Sequence, residues 1–353
     1  MCERAVEEKH GKNRIMKLFT PSGEATNFVD RILQNHKQLG WEVTNSIGHA
    51  DLVLLPYTWE YWYANKARIE KLSCLVDKAA RAGKLILSIT YDHGRTPLCD
   101  DAIVLRPGGY KSRALRHQYA LPRVIDDPLA NYYSGKFLPS EWSQKPVVGF
   151  CGHGFHSLIK QFAIAGLRLK KAVIYHANCR KPEPETIWPT STRQRMKVLK
   201  AFESADCVEK NFLVRKRYRA GIKGSFEELK KHRTTIEFFD NIKNSAYTLC
   251  IRGSENYSVR FYETLAMGRV PLFVNTDCLL PCEDELDWKS MIPWVEYKDI
   301  KHAPDILREF HNRFSQDEFV EHQQKMRKIW EDYLRPAQFL QYLERSLRRR
   351  KII

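Results

Sequence analysis

Two arginines, two serines, a glycine and a glutamate occur within one short stretch, and together they suit a nucleotide ligand. Arg252 and Arg260 could clamp a diphosphate, because a guanidinium presents paired N–H donors. Glu263 follows Arg260 by three residues, so on a helix the two share a face, and its carboxylate could accept hydrogen bonds from both ribose hydroxyls. Gly253 permits close backbone approach, and Ser258 could cap a helix or donate to a phosphate oxygen. The alternative for Arg260 and Glu263 is an ordinary surface ion pair, since short motifs also occur by chance. The candidate binding residues here are Arg252, Gly253, Ser254, Ser258, Arg260 and Glu263.

The secondary structure predicted around these residues would bring them to one end of a sheet. An apolar run, Tyr247–Ile251, predicts a strand, and a helix from about Ser258 to Met267 follows and ends at Gly268. A second apolar run, Val270–Val274, predicts the next strand. Strand, helix and strand form a βαβ unit, whose ligands bind beyond the carboxyl ends of the strands and at the helix N-terminus.

These residues also resemble a known family signature. It consists of an apolar strand, a glycine, a serine and an arginine two apart, a glutamate three later, and a Gly-x-x-Pro turn. The matching residues are Gly253, Ser258, Arg260, Glu263, Gly268 and Pro271. The stretch resembles the donor-binding segment of exostosin-type glycosyltransferases. The resemblance implies an α/β fold of the GT-B type, with two Rossmann-like domains facing a cleft and a C-terminal helix. It also implies a nucleotide-diphosphate sugar donor and inversion at the anomeric carbon. Arg252 departs from the family, where a proline is commoner.

Further segments carry the resemblance in the family's order, over roughly residues 50–275. Ala50–Tyr57 is similar to the family's Ala-Asp-x-x-x-x-Pro-Tyr strand. Tyr91–Gly94 is similar to its His-Asp-Trp-Gly turn, although Tyr91 and His93 depart from that pattern.

A second glycine-bearing segment follows an apolar strand predicted over Val147–Phe150. Its glycines are Gly149, Gly152 and Gly154. Glycines between a strand and a helix permit close approach to a phosphate, although this spacing is not the dinucleotide fingerprint. We predict Gly152 and His153 as further contacts of the diphosphate or acceptor. An ordinary loop histidine is the other interpretation of His153, and no carboxylate or cysteine supports a metal pair with His156.

Inverting transfer requires a base that takes the proton of the acceptor hydroxyl, and the first domain should supply it across the cleft. Asp92 is the first candidate, because it ends a predicted strand just before Gly94. His93 is the second, with a reference pKa of about 6.5, and Glu24 in the first glycine-bearing turn is the third. An aspartate before His-Gly also forms an Asx-turn readily, so a structural role for Asp92 is equally open.

Length and composition indicate a globular chain of two domains. At 353 residues the chain exceeds one ordinary core, and we place the domains at residues 1–145 and 146–335, with a basic C-terminal helix at 336–353. A hydrophobic content of 43% excludes a disordered chain. No run approaches the roughly 20 apolar residues of a membrane span, and the polar N-terminus lacks a secretory h-region. The nine cysteines are scattered, which indicates free thiols in a reducing compartment. We therefore expect a cytoplasmic location and leave membrane association open.

The net charge of +16 has three possible explanations: an anionic donor or acceptor, an acidic membrane surface, or nucleic acid. Basic residues concentrate in Leu213–Lys223 and in 345–353, and a run like the latter is usually a solvated face.

We predict a nucleotide-sugar donor, UDP-linked, and a glycan or lipid-linked glycan acceptor, without nucleic acid. No Asp-x-Asp motif stands where a metal-bound diphosphate would need it, so arginines and a helix dipole would replace a cation, and no metal cofactor is expected. Two alternatives remain. One is a catalytically inactive protein on a GT-B scaffold that binds nucleic acid or a membrane surface. The other is a transferase of the GDP-fucose type.

Overall fold

Two separate parallel β-sheets form the framework of the chain. The computed structural model describes residues 15–21, 37, 39–63, 65–90, 101–154, 158–177, 190–253 and 255–353. Every strand pairing within either sheet is parallel in this part of the chain. Helices form several of the connections between consecutive strands, as is usual for parallel pairing. Two such sheets in one chain confirm the predicted α/β, GT-B-type architecture.

The first sheet has the strand order β2-β1-β3-β4-β5-β6. Its strands are β1 (Lys17–Phe19), β2 (Glu42–Thr44), β3 (Leu52–Leu54), β4 (Leu85–Ile89), β5 (Ile103–Arg106) and β6 (Gln118–Ala120). The helices described around it are α1 (Trp59–Trp62), α2 (Lys66–Arg81) and α3 (Pro128–Tyr132). The central strands β3 and β5 are buried at every position, because elements cover both faces of the sheet. This explains why their sequences are unbroken apolar runs.

The second sheet has the strand order β11-β10-β9-β7-β8. Its strands are β7 (Val147–His153), β8 (Glu209–Arg215), β9 (Tyr247–Cys250), β10 (Val270–Asn275) and β11 (Trp294–Glu296). The helices that accompany it are α4 (Leu158–Ala177), α5 (Ser191–Glu203), α6 (Phe226–Lys231), α7 (Arg233–Lys243), α8 (Val259–Ala266), α9 (Trp288–Met291), α10 (Ala303–His311), α11 (Gln316–Ile329) and α12 (Pro336–Arg349). Of the helices described, none is long and apolar enough to cross a bilayer.

Strand β7 is longer than the sequence predicted. It stays paired with β8 as far as His153, so Gly149 and Gly152 lie within the strand rather than in a loop after it. The cause is close packing from later elements. A Cβ at Gly149 would collide with Ser245, and one at Gly152 would lie 2.6 Å from Nη2 of Arg260. These glycines therefore leave room for side chains of their own protein.

Helix α12 contacts both domains. Trp41, beside the first sheet, donates from Nε1 to Glu344 at 2.6 Å, and the Arg350 guanidinium lies 5.2 Å from the Tyr119 ring.

On the side of the second domain, Arg349 of α12 pairs with Asp284 at 3.2 Å and with Glu285 at 2.8 Å. A further pair joins Arg345 to Glu285 at 3.0 Å. These arginines therefore pair with carboxylates of the second domain, while about half of each side chain (51%) stays exposed to solvent.

Candidate functional site

The βαβ unit predicted around the candidate binding residues is present. β9 and β10 pair in parallel, with Tyr247 opposite Val270, and α8 connects them. The helix ends before Gly268, whose φ of +63° is the left-handed conformation that glycine adopts without strain at a helix C-terminus. A Cβ there would also collide with the Phe137 ring. Ser258 occupies the N-cap position, but its side chain makes no capping hydrogen bond.

Arg260 holds the carboxyl ends of two neighbouring strands together. Its Nη2 donates to the Cys151 carbonyl of β7 at 2.7 Å, and its Nη1 donates to the Leu249 carbonyl of β9 at 3.3 Å. The guanidinium lies 4.4 Å from the ring centroid of Phe150, and burial lowers the pKa of Arg260. Its Nε is buried without a hydrogen-bond partner in the part of the chain that the structure describes. Gly152 has no side chain and so leaves room for the Arg260 guanidinium.

Glu263 makes no ion pair with Arg260, contrary to the surface-pair alternative. No salt bridge or side-chain hydrogen bond of its carboxylate exists among the described residues, although Arg260 and Arg219 are close enough to act on it electrostatically. Burial raises the pKa of Glu263 to about 7, while the charges of Arg260 and Arg219 oppose this rise. A half-buried carboxylate of this kind is available to accept hydrogen bonds from a ligand.

Arg195 is the functional residue that the sequence analysis missed. From α5 its Nε and Nη2 donate to the Arg252 carbonyl at 3.3 and 3.1 Å, and its Nη1 donates to the His153 carbonyl at 3.0 Å. Burial lowers its pKa to about 10, and the charges of Arg260 and Arg252 add to this effect. The signal for its burial that the sequence offered was its helical spacing from the buried residues of α5. The buried residues Thr192, Val198, Leu199 and Phe202 recur at helical spacing, and Arg195 falls on that inward face.

The loop after β9 lies against the first domain. Arg252 donates from Nη1 to the hydroxyl of Tyr110 at 3.0 Å, across the domain interface. Gly253 donates its N–H to the Tyr257 carbonyl at 2.9 Å, and a Cβ at Gly253 would meet only ordinary contacts. Nothing in the described protein therefore demands a glycine there, which is consistent with a requirement imposed by a ligand. Ser254 lies outside the described residues.

Asn256 fixes this loop to its surroundings. The residue is fully buried, and its Nδ2 lies within hydrogen-bonding distance of three carbonyls: Gly109 at 2.9 Å, Thr276 at 3.0 Å and Asp277 at 3.1 Å. Gly109 belongs to the first domain, whereas the other two follow β10. Asn256 thus connects the candidate binding loop to both domains.

The charges at this edge of the sheet are mostly positive. Arg195 and Arg260 donate to backbone carbonyls, and neither forms a salt bridge with a carboxylate of the described chain. Arg252 brings a third guanidinium close to Arg195. The partial positive charge of the α8 N-terminus adds to the three side chains. An arrangement of this kind attracts an anion with several oxygens, such as a diphosphate.

The other predicted residues divide into two groups. His153 ends β7, and its carbonyl accepts from Arg195, so it lies at this site. The candidate bases Asp92, His93 and Glu24, and also His156, lie outside the described residues and stay predictions. No group of three or more His, Cys, Asp or Glu side chains suited to a metal occurs among the described residues.

Comparison with known proteins supports the family that the motif suggests. The model of the Exostosin GT47 domain matches residues 191–310. Exostosin-1 of Drosophila melanogaster is 34% identical over 19% of this chain and 9% of its own length. The Exostosin-1 homolog of Caenorhabditis elegans is 30% identical over 30% of this chain and 26% of its own length. The probable beta-1,4-xylosyltransferase IRX10L of Arabidopsis thaliana is 27% identical over 23% of this chain and 19% of its own length.

The chain thus matches only about a tenth to a quarter of the length of these relatives. The family model covers Arg195, β9, the candidate binding loop, α8 and β10. The matched segment therefore contains the arginine group and Glu263, and residues 191–310 are similar to the Exostosin GT47 domain.

Proposed function

We propose that the protein is an inverting glycosyltransferase. It would transfer a sugar from a nucleotide-diphosphate donor, UDP-linked, to a glycan or lipid-linked glycan. The observation that carries this proposal is the group of Arg195, Arg252 and Arg260 beside the carboxylate of Glu263, at the carboxyl ends of β7 and β9. Ligands of parallel α/β sheets bind at this edge. One of the relatives is named a probable beta-1,4-xylosyltransferase, which agrees with sugar transfer.

Each group at this edge has a chemical role in such a reaction. The acceptor oxygen forms a bond to the anomeric carbon, and the bond from that carbon to the diphosphate oxygen breaks. The arginines and the α8 N-terminus stabilise the negative charge that develops on the leaving diphosphate. Glu263 accepts hydrogen bonds from the ribose. A base of the first domain, for which Asp92, His93 and Glu24 are the candidates, takes the acceptor proton. This scheme requires no metal. We also propose that the protein is cytoplasmic.

The first test is calorimetric titration of the protein with UDP and GDP. We expect UDP to bind, and we expect Glu263→Ala to weaken UDP binding by about tenfold or more, because the ribose loses a charged acceptor. Glu203→Ala is the matched control, since Glu203 is exposed on α5. Binding of GDP in place of UDP would contradict the donor assignment while keeping the reaction class.

Absence of binding by either nucleotide would contradict the transferase itself. The alternative on this scaffold, a basic protein that binds nucleic acid, would then be tested with labelled RNA at about 50 and 200 mM salt. A steep loss of affinity between the two salt concentrations would support that alternative.

A further inference from the structure

Helix α4 exposes an apolar face to solvent. The exposed fractions of its large apolar side chains are 82% for Ile159, 66% for Phe162, 63% for Leu167, 53% for Leu169 and 59% for Val173. Ile159, Phe162, Leu169 and Val173 follow one another at helical spacings of three or four residues when Gly166 is counted between them. These four form one stripe along the helix, and Leu167 lies beside it. Contiguous exposed apolar surface of this size usually marks a contact with another phase or partner.

The polarity of α4 differs from that of an ordinary surface helix. Its face toward the protein mixes buried Gln161 and half-buried Arg168 with half-buried Ile164 and Ala165, whereas the large side chains of the apolar stripe point outward. Surface helices normally turn their apolar side inward and their polar side to water. The sequence of α4 therefore does not serve the core of the second domain alone. Its outward face requires a separate explanation.

The charges of α4 identify the occupant of this face. Across Leu158–Ala177 the sequence contains Lys160, Arg168, Lys170 and Lys171, and no aspartate or glutamate. A second copy of this chain would bring another +16 charge against the same face, which opposes self-association. An anionic bilayer supplies both an apolar phase and negative charge. Helices rich in lysine and arginine with large apolar side chains bind such surfaces by lying in the interface.

We propose that α4 is an interfacial helix that docks the protein on an anionic lipid membrane, with Ile159, Phe162, Leu169 and Val173 entering the acyl boundary. The helix lies on the bilayer and does not span it, in agreement with its charged residues. It begins at Leu158, shortly after His153, the residue whose carbonyl holds Arg195 at the candidate site. Docking would therefore bring the site close to the lipid surface. The proposal does not depend on the reaction that the site performs.

Flotation with lipid vesicles tests this proposal. The full chain is mixed with vesicles of phosphatidylcholine alone or of phosphatidylcholine with phosphatidylglycerol, and the fraction that floats is measured at low and high salt. We expect flotation with the anionic vesicles and little with the neutral ones. In the double variant Ile159→Ser/Leu169→Ser the affinity for the anionic vesicles should fall by about tenfold or more. Each lost side chain removes apolar surface that the bilayer would bury. Lys170→Glu should also weaken binding, and its effect should shrink at high salt.

The control is Val124→Ser/Leu138→Ser, which removes two exposed apolar residues far along the chain from α4 and should float like the wild type. Equal urea midpoints for all variants show that each is folded. The proposal is overturned if the wild type does not float, or if the α4 double variant floats equally well. It is also overturned if the wild type forms a dimer that the α4 double variant abolishes, since a second copy then covers the face. Titration of the α4 double variant with UDP tests the proposed function separately. UDP binding that persists when flotation is lost shows that the two proposals fail or hold independently.

Discussion

The burial of Glu263 makes folding stability depend on pH. Its pKa is raised from 4.5 to about 7 in the folded protein, so the folded state binds this proton more tightly than the unfolded chain does. The stabilising effect of the proton is complete below about pH 4.5 and is lost as the pH rises through 7. Glu263→Gln removes the titration. Between about pH 5 and pH 8 we expect the free energy of unfolding of the wild type to fall by roughly 2 kcal/mol more than that of the variant.

Urea unfolding at several pH values across this interval measures the difference. Glu203→Gln, an exposed exchange on α5, should follow the wild-type profile. Parallel profiles for the wild type and Glu263→Gln would show that the carboxylate is not desolvated in solution. The buried environment assigned to Glu263 would then be wrong.

Arg195 shows why the site could be predicted only in part. Arg252, Arg260 and Glu263 lie within one short segment, 252–263, so local spacing was enough to group them. Arg195 is far from them in sequence and reaches the site because α5 packs beside the ends of β7 and β9. A short motif contains no information about such a distant partner. Only the position of an arginine on the inward face of an amphipathic helix indicated its burial.

At the level of elements, the glycines of β7 were assigned to the correct region but to the wrong role. The strand, helix and second strand around α8 follow from apolar periodicity and from the Gly268 stop, both of which are local. The extension of β7 through Gly152 has a non-local cause. The missing side chain at Gly152 makes room for Arg260, which comes more than a hundred residues later. A glycine that accommodates a distant side chain resembles a phosphate-loop glycine when only the sequence is known.

Substituting Gly152 tests this role directly. In Gly152→Ala the new methyl would lie 2.6 Å from Nη2 of Arg260 and would displace it from the Cys151 carbonyl. We expect a loss of about 1–3 kcal/mol in the free energy of unfolding, as for other overpacked sites, together with weaker UDP binding. Gly166→Ala on α4 is the matched control. Its new methyl would meet no atom within 4 Å, so the exchange should stabilise the helix by about 0.5–1 kcal/mol. Effects of the same sign for both exchanges, measured by urea unfolding, would contradict this account.

At the level of the whole molecule, the two sheets could be predicted but their connection could not. The number of domains follows from chain length and from alternating apolar runs. The residues that join the domains lie in irregular loops, which have no periodic signature, and on the C-terminal helix, whose apolar periodicity predicts a helix but not the residues that it contacts. Arg345 and Arg349 of α12 pair with Asp284 and Glu285, so part of the basic charge holds the molecule together. These ion pairs are electrically neutral, so they account for none of the net charge of +16 and do not identify a partner for it.

Asn256 provides a test of the domain connection. Its Nδ2 faces the carbonyls of Gly109, Thr276 and Asp277. Its Oδ1 accepts from the Thr276 hydroxyl at 2.7 Å. Asn256→Ala removes this donor from the Gly109 and Thr276 carbonyls, while the Asp277 carbonyl still accepts from the Lys111 N–H at 2.9 Å, and it should lower the free energy of unfolding by about 2–4 kcal/mol. Asn256→Asp should be more harmful than alanine, although aspartate is closer in shape, because a carboxylate would place negative charge against three carbonyl oxygens. Urea unfolding of both variants at neutral pH decides the order. If aspartate were tolerated better than alanine, Asn256 would not act as the shared donor, and the domains would be joined mainly through other contacts, such as that of Lys111 with Glu283 at 2.8 Å.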